Sequence, residues 1–193
     1  GLFDLTPFSK FDLKGEGSFD ELQRICTANI KSINGKTTYT QILNKDGGIE
    51  IDCTVVCLEK NYFRIISSAA TRERDKFFIL NNISKDIIFE DVTDKYCCLG
   101  VFGPKSRDLL SKISQDNFSN ENFKFGTGKF VKINDMKVWA QRLSYVGEIG
   151  FELYIETAHA KQLYKAIVEE GNNHNLTHCG MHAMDTMRME NGF

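Results

Sequence analysis

Two glycines three apart, Gly147 and Gly150, followed at once by the alternating run Phe151-Glu-Leu-Tyr-Ile155, constrain this chain more than any other stretch. Glycine admits positive φ and close backbone approach, so a turn or bulge is predicted at 147–150. After it, period-2 alternation puts Phe151, Leu153 and Ile155 on one face of a strand and Glu152 and Tyr154 on the other. The chain therefore needs a sheet with one apolar face and a second face that carries an acid.

An acid at such a position usually faces water. The neighbours of Glu152 weaken that reading, because Tyr145 precedes the turn and Tyr154 follows two residues on. A carboxylate among aromatic rings suits a planar heterocycle offering two adjacent N–H donors, since its two oxygens accept both. Pterins and guanines present that edge.

A second alternating run, Ile49-Glu-Ile-Asp-Cys-Thr-Val-Val56, follows the turn Asn44-Lys-Asp-Gly-Gly48. It places Ile49, Ile51, Cys53 and Val55 on one face and Glu50, Asp52, Thr54 and Val56 on the other. Aspartate is poorly suited to a strand interior, so Asp52 indicates either a solvated face or a task. From this strand alone the two readings weigh equally.

Lys+Arg 24 against Asp+Glu 26 gives a net charge of −2, so no global field points to nucleic acid or an anionic membrane. Nothing approaches the roughly 18 consecutive apolar residues of a membrane helix, and no signal-peptide pattern opens the chain. Cysteines 26, 53, 57, 97, 98 and 179 lack the spacing of a disulfide scaffold and sit mostly in apolar runs. These features predict a soluble protein of a reducing compartment, the cytoplasm or the mitochondrial matrix. The apolar start at Gly1 and the stop at Phe193 suggest a piece of something longer.

Along the chain, strands are predicted over Phe8–Leu13, Thr37–Leu43, Ile49–Leu58, Tyr62–Ser67, Ile87–Val92, Tyr96–Phe102, Phe130–Ile133 and Met136–Leu143. Ser18-Phe-Asp-Glu21 has the pattern of a capping box and opens a helix burying Phe19, Leu22, Ile25 and Cys26. Ser68 should cap a helix to about Leu80, with Ala70, Phe77 and Phe78 inward and the charged residues 72–76 in solvent. Pro104 opens a helix with Leu109, Leu110 and Ile113 on one side. Thr157 caps another that buries Leu163, Tyr164, Ile167 and Val168 and ends at Gly171. A final helix from about Cys179 or Gly180 carries Met181, Met184 and Met187 as core residues. His174, His178 and His182 are four apart, but His174 lies in a polar loop and no acid completes a ligand set, so no metal is predicted. Arg188, one turn after Asp185, is either half of a surface pair or an inward cation.

Five collinear stretches carry a resemblance: Gly1-Leu-Phe-Asp-Leu-Thr6, Asn44 to Val55, Gly103-Pro-Lys-Ser-Arg107, Ser144 to Tyr154 and Met184 to Phe193. Together they resemble the folate-binding aminomethyltransferase family, the T-protein of the glycine cleavage system, across nearly the whole chain. Ser-Tyr-Val-Gly-Glu-x-Gly-x-Glu-Leu-Tyr and Asn-Lys-x-Gly-Gly-Ile-Glu-x-Asp are most similar to the tetrahydrofolate-dependent region of dimethylglycine and sarcosine dehydrogenases.

The resemblance implies an α+β fold of two antiparallel-sheet subdomains with flanking helices around a central folate-binding cavity. The intertwined subdomains are expected at about 1–52 plus 140–193, and 53–139. It implies that Asp52 is the catalytic aspartate and that Glu152 holds the pterin edge, with Tyr145 and Arg188 completing the folate site. The implied activity is one-carbon transfer from an amine donor such as dimethylglycine or sarcosine to tetrahydrofolate. Upstream residues and a C-terminal β-barrel of the family are expected outside this chain. No Gly-x-Gly-x-x-Gly motif occurs here, so FAD would belong to an oxidoreductase domain in cis. A non-catalytic folate-binding module is the alternative, and Asp52 discriminates, because a pure binder has no need of that acid.

Overall fold

A computed structural model describes residues 1–193. In chain order it contains β1 (Leu2–Asp4), β2 (Ser9–Lys14), α1 (Ser18–Ile25), β3 (Thr37–Leu43), β4 (Ile49–Glu59), β5 (Tyr62–Ser67) and α2 (Arg72–Asn82). There follow β6 (Ile88–Asp91), β7 (Tyr96–Phe102), α3 (Ser106–Ile113), β8 (Gly128–Ile133), β9 (Met136–Gln141), β10 (Gly150–Glu156), α4 (Ala160–Gly171), β11 (His178–Cys179) and α5 (Met181–Glu190). No helix is long and apolar enough to cross a membrane.

The chain divides into two compact units, Gly1–Thr6 with Lys95–Phe193, and Pro7–Asp94. The expected boundaries at 52/53 and 139/140 do not hold. Strand β4 is hydrogen-bonded to β3 on one side and β5 on the other, so a cut after Asp52 would sever two ladders. Strand β7 pairs along its whole length with β10, which ties 96–102 to 150–156.

In the first unit the sheet order is β11-β1-β7-β10-β9-β8. It is mixed rather than antiparallel, because the two-residue β11 runs parallel to β1. One face buries Leu99, Val101, Val138, Ala140, Phe151, Leu153 and Ile155 against Leu109 and Leu110 of α3 and Leu163 and Ile167 of α4. Each of the Val, Leu, Ile and Phe side chains among them contributes about 1.5–3 kcal/mol of burial. Phe118 and Phe123, from the long loop before β8, anchor to Phe151; Phe118 meets that ring edge-on at 5.1 Å. Phe125 of the same loop is exposed.

The second unit is an antiparallel sheet, β3-β4-β5-β2-β6. Phe11, Leu13, Ile51, Cys53, Val55, Phe63 and Ile65 face Leu22 of α1 and Ile79 of α2. On the other face Arg64 grips Asp12 through Nε at 2.7 Å and Nη2 at 3.0 Å, and the Tyr62 hydroxyl donates to Asp12 Oδ2 at 2.6 Å. Asp12 and Arg64 are both buried, so each charge depends on the other.

Several helix ends differ from expectation. Ser18 caps nothing: its hydroxyl is buried without a partner, and Gly17 at φ 87° precedes the helix instead. The glycine turn, with Ser18 N–H donating to Gly15 O, fixes that start through the backbone. Ser68 caps a 3₁₀ turn before α2, not α2 itself. Within α2, Asp75 faces inward and accepts from Ser67 and Thr71 at 2.8 Å each, while Phe77 is 72% exposed. Two hydroxyls thus hold a carboxylate inward and turn the ring outward. Pro104 precedes α3 by two residues, Thr157 lies in a 3₁₀ turn before α4, and Tyr164 is exposed. Of the three methionines expected in the core, only Met184 is buried.

Candidate functional site

The glycine turn does what its spacing predicts, with a different duty for each glycine. Gly147 has φ +75°, which L side chains rarely adopt. Gly150 is a close approach: a Cβ there would lie 2.4 Å from Phe102 Cδ1. Ile149 O accepts from Gly103 N–H at 2.8 Å, and Val146 O accepts from Asn191 Nδ2 at 3.1 Å, so the turn is tied at both ends.

Beyond it, β10 keeps its alternation, with Phe151, Leu153 and Ile155 buried and Glu152 half-buried on the opposite face. The residues facing Glu152 across the ladders are Gly100 on β7 and Gln141 on β9. Tyr154 donates its hydroxyl to Glu152 Oε2 at 2.7 Å, and Gln141 Nε2 donates to the same oxygen at 3.5 Å. Burial pushes the Tyr154 phenol well above its usual value, and the nearby Cys98 and Glu152 push it the same way. The hydroxyl therefore stays protonated and remains a donor. Gln141 Oε1 and Trp139 Nε1 are buried on this face without a partner.

Tyr145 and Arg188 meet. The Arg188 guanidinium lies 3.8 Å from the Tyr145 ring centroid, and its Nη1 donates to Tyr145 O at 3.1 Å. The Phe193 ring is 5.6 Å from the same guanidinium. Arg188 thus turns toward Tyr145 rather than pairing with Asp185, and α5 supplies the cation to the loop before β10. A stacked arginine and phenol give a flat, cationic-backed surface.

Asp52 belongs to the other unit. It is exposed on β4, on the face opposite Ile51 and Cys53, as the alternation predicts. Its cross-strand neighbour is Gln41, whose Nε2 donates to Asp52 Oδ1 at 2.9 Å. Glu50, two residues earlier on the same face, accepts from Asn44 Nδ2 at 3.0 Å. The structure therefore brings Tyr145 and Arg188 together, sets Glu152 in the same unit on its own polar face, and holds Asp52 on the second sheet. Gln41 and Gln141 escaped the sequence reading, because which residue stands opposite which is set by strand register.

The three histidines lie on separate elements. His174 in a 3₁₀ turn contacts Glu170 Oε1 at 3.1 Å, His178 on β11 contacts the Tyr164 hydroxyl at 3.0 Å, and His182 is on α5.

The residues present fit a folate. Glu152 presents a carboxylate in a partly shielded place, chemistry that suits ring N–H donors, and Tyr145 backed by Arg188 is an aromatic surface of the kind a flat ring packs on.

Comparison with known proteins shows the family. The family model described as the GCVT N-terminal domain matches residues 1–193. The chain is 37% identical over 194 residues to a 4-methylaminobutanoate oxidase (formaldehyde-forming) of Paenarthrobacter nicotinovorans, covering 100% of this chain and 23% of that protein. It is 32% identical over 196 residues to the mitochondrial dimethylglycine dehydrogenase of Rattus norvegicus, again 100% of this chain and 23% of that one. Among solved structures, the glycine cleavage system aminomethyltransferase T of Bartonella henselae superposes with a TM-score of 0.85 at 21% identity, covering 100% of this chain and 51% of that chain. The chain thus spans about a quarter of the two curated relatives and half of the solved one, and its α+β fold, with one mixed and one antiparallel sheet, is shared with that solved structure. With its whole length matched, the chain belongs to the GCVT N-terminal domain family, the folate-binding aminomethyltransferase family of tetrahydrofolate-dependent one-carbon transfer.

Proposed function

We propose that this chain is the folate-binding part of an enzyme that moves a one-carbon unit from an amine donor, such as dimethylglycine or sarcosine, onto tetrahydrofolate to give 5,10-methylenetetrahydrofolate. The observation that carries the reading is Glu152, an acceptor set by the Tyr154 hydroxyl at 2.7 Å on a half-buried strand face. The likeness to an N-methylamino acid oxidase and a dimethylglycine dehydrogenase supports a small methylated amine as donor. An FAD oxidoreductase domain in cis would then produce the carbon at the oxidation level to be transferred.

Tetrahydrofolate, when bound, supplies the nucleophilic nitrogens that take up the carbon. The protein supplies position and charge. Glu152 accepts the N–H donors of the ring edge and fixes its orientation. Tyr145 packs on the folate ring, and Arg188 holds Tyr145 in place with its guanidinium over the phenol and its Nη1 donating to the Tyr145 carbonyl. Asp52 would stabilise positive charge developing on nitrogen and relay the proton lost by the second folate nitrogen to the donor amine, whose bond to the carbon breaks as the new one forms.

Two variants of the full-length protein test these roles. Asp52→Asn should bind tetrahydrofolate as before and lose about 10²–10⁴ in turnover. Wild-type rates in that variant would remove Asp52 from the mechanism. Glu152→Ala should weaken tetrahydrofolate binding about 10–100-fold in calorimetry. Unchanged affinity would refute the ring-edge role.

A further inference from the structure

The second sheet holds its acids in two ways. Asp12 is neutralised by Arg64 at 2.7 Å, and Asp91 by Arg72 at 2.9 Å. Asp52 has no cation within ion-pair distance, and its polar contact is an uncharged amide, Gln41 Nε2 to Oδ1 at 2.9 Å. An arginine or lysine there would hold the carboxylate equally well and cancel its field. A neutral donor fixes one oxygen and leaves the negative charge uncompensated.

Gln41 is itself fixed. Its backbone N–H donates to Thr27 Oγ1 at 3.3 Å and its carbonyl accepts from Thr27 N–H at 2.9 Å, which pins the edge strand β3 at the residue facing Asp52. The other acid on this face, Glu50, is drawn to Asn44 at 3.0 Å. Gln41 therefore starts from a rigid backbone and meets Asp52 alone.

Resting on the catalytic role proposed for Asp52, we infer that Gln41 is its positioning residue: an uncharged clasp that commits Oδ1 and presents Oδ2 and the full charge to the reacting nitrogen. The donor's neutrality is part of the function. A cation at 41 would add little to the stability of this exposed strand pair and would weaken the chemistry.

The test uses the full-length protein with tetrahydrofolate and formaldehyde, a carbon source at the oxidation level of the product, and follows methylenetetrahydrofolate formation above the uncatalysed background. Gln41→Met keeps the side-chain length without the donor, and Gln41→Lys keeps a donor but adds a charge. Both should slow turnover tenfold or more, with tetrahydrofolate affinity by calorimetry within twofold and the thermal midpoint nearly unchanged. The double variant Gln41→Met with Asp52→Asn should be no slower than Asp52→Asn alone, because Gln41 acts only through Asp52. Additive losses, a wild-type rate for Gln41→Lys, or weakened folate binding would overturn the assignment. Full turnover in Asp52→Asn would instead sink the reading beneath it, and the Gln41 role with it.

Discussion

Asp12 and Arg64 illustrate what a single residue contributes here. Each is buried and each is satisfied by the other, with Tyr62 adding a third bond. Replacing Asp12 by Ala leaves a buried guanidinium unpaired, and denaturant unfolding should show a loss of about 3–5 kcal/mol. Replacing both with apolar residues of similar volume should cost less than the single change. Cys26 supplies a pH dependence. Burial pushes its thiol up to about 12 from an ordinary 9.0, with the Thr40 hydrogen bond opposing. Its raised folded value means the folded state holds the proton more tightly than the unfolded state. Its contribution is complete below about 9 and is lost as pH rises toward 12. The thermal midpoint should therefore fall through that window, and fall less steeply in Cys26→Ala.

At the scale of elements, β10 is the piece on which the proposed site depends. Its start is set by a glycine that must lie against Phe102 and another that must take positive φ. Gly150→Ala would drive a methyl group into the Phe102 ring and its backbone, so a loss of roughly 1–3 kcal/mol in stability is expected from overpacking. Gly147→Ala should cost about 1 kcal/mol through backbone strain, with Asn191 and Phe193 also close to the new Cβ. If Glu152 is the folate contact, the Gly150 change should also weaken tetrahydrofolate binding, because it displaces the strand two residues from that carboxylate. The long loop before β8 is anchored through Phe118 and Phe123, whereas Phe125 is exposed. Nothing local in the sequence distinguishes the three phenylalanines.

At the scale of the molecule, the chain crosses between its two units near residues 6 and 95. Strand pairing decides that crossing: residue 2 pairs with residue 101 and residue 14 with residue 62, so the first few residues belong with the last hundred. All six cysteines are free, and five are buried. A thiol reagent should label one site, Cys179, quickly in the native protein and the remainder only on unfolding. Rapid labelling of several thiols would contradict the packing of both cores.

The sequence by itself determined nine of the eleven strands, all but β1 and β11, the apolar faces of β4 and β10, and the glycine turn. These follow from side-chain alternation and backbone sterics, which act over a few residues. The five collinear stretches also carried the resemblance to the family and, through it, pointed to Asp52, Tyr145, Glu152 and Arg188. Tertiary structure alone decided the partners: Gln41 for Asp52, Gln141 and Tyr154 for Glu152, and Tyr145 for Arg188. It also turned Asp75 inward from a run of charges that looked solvated. Register, helix docking and the burial of an acid beside hydroxyls are settled by long-range packing, where residues far apart in the chain compete for the same space and the same hydrogen bonds.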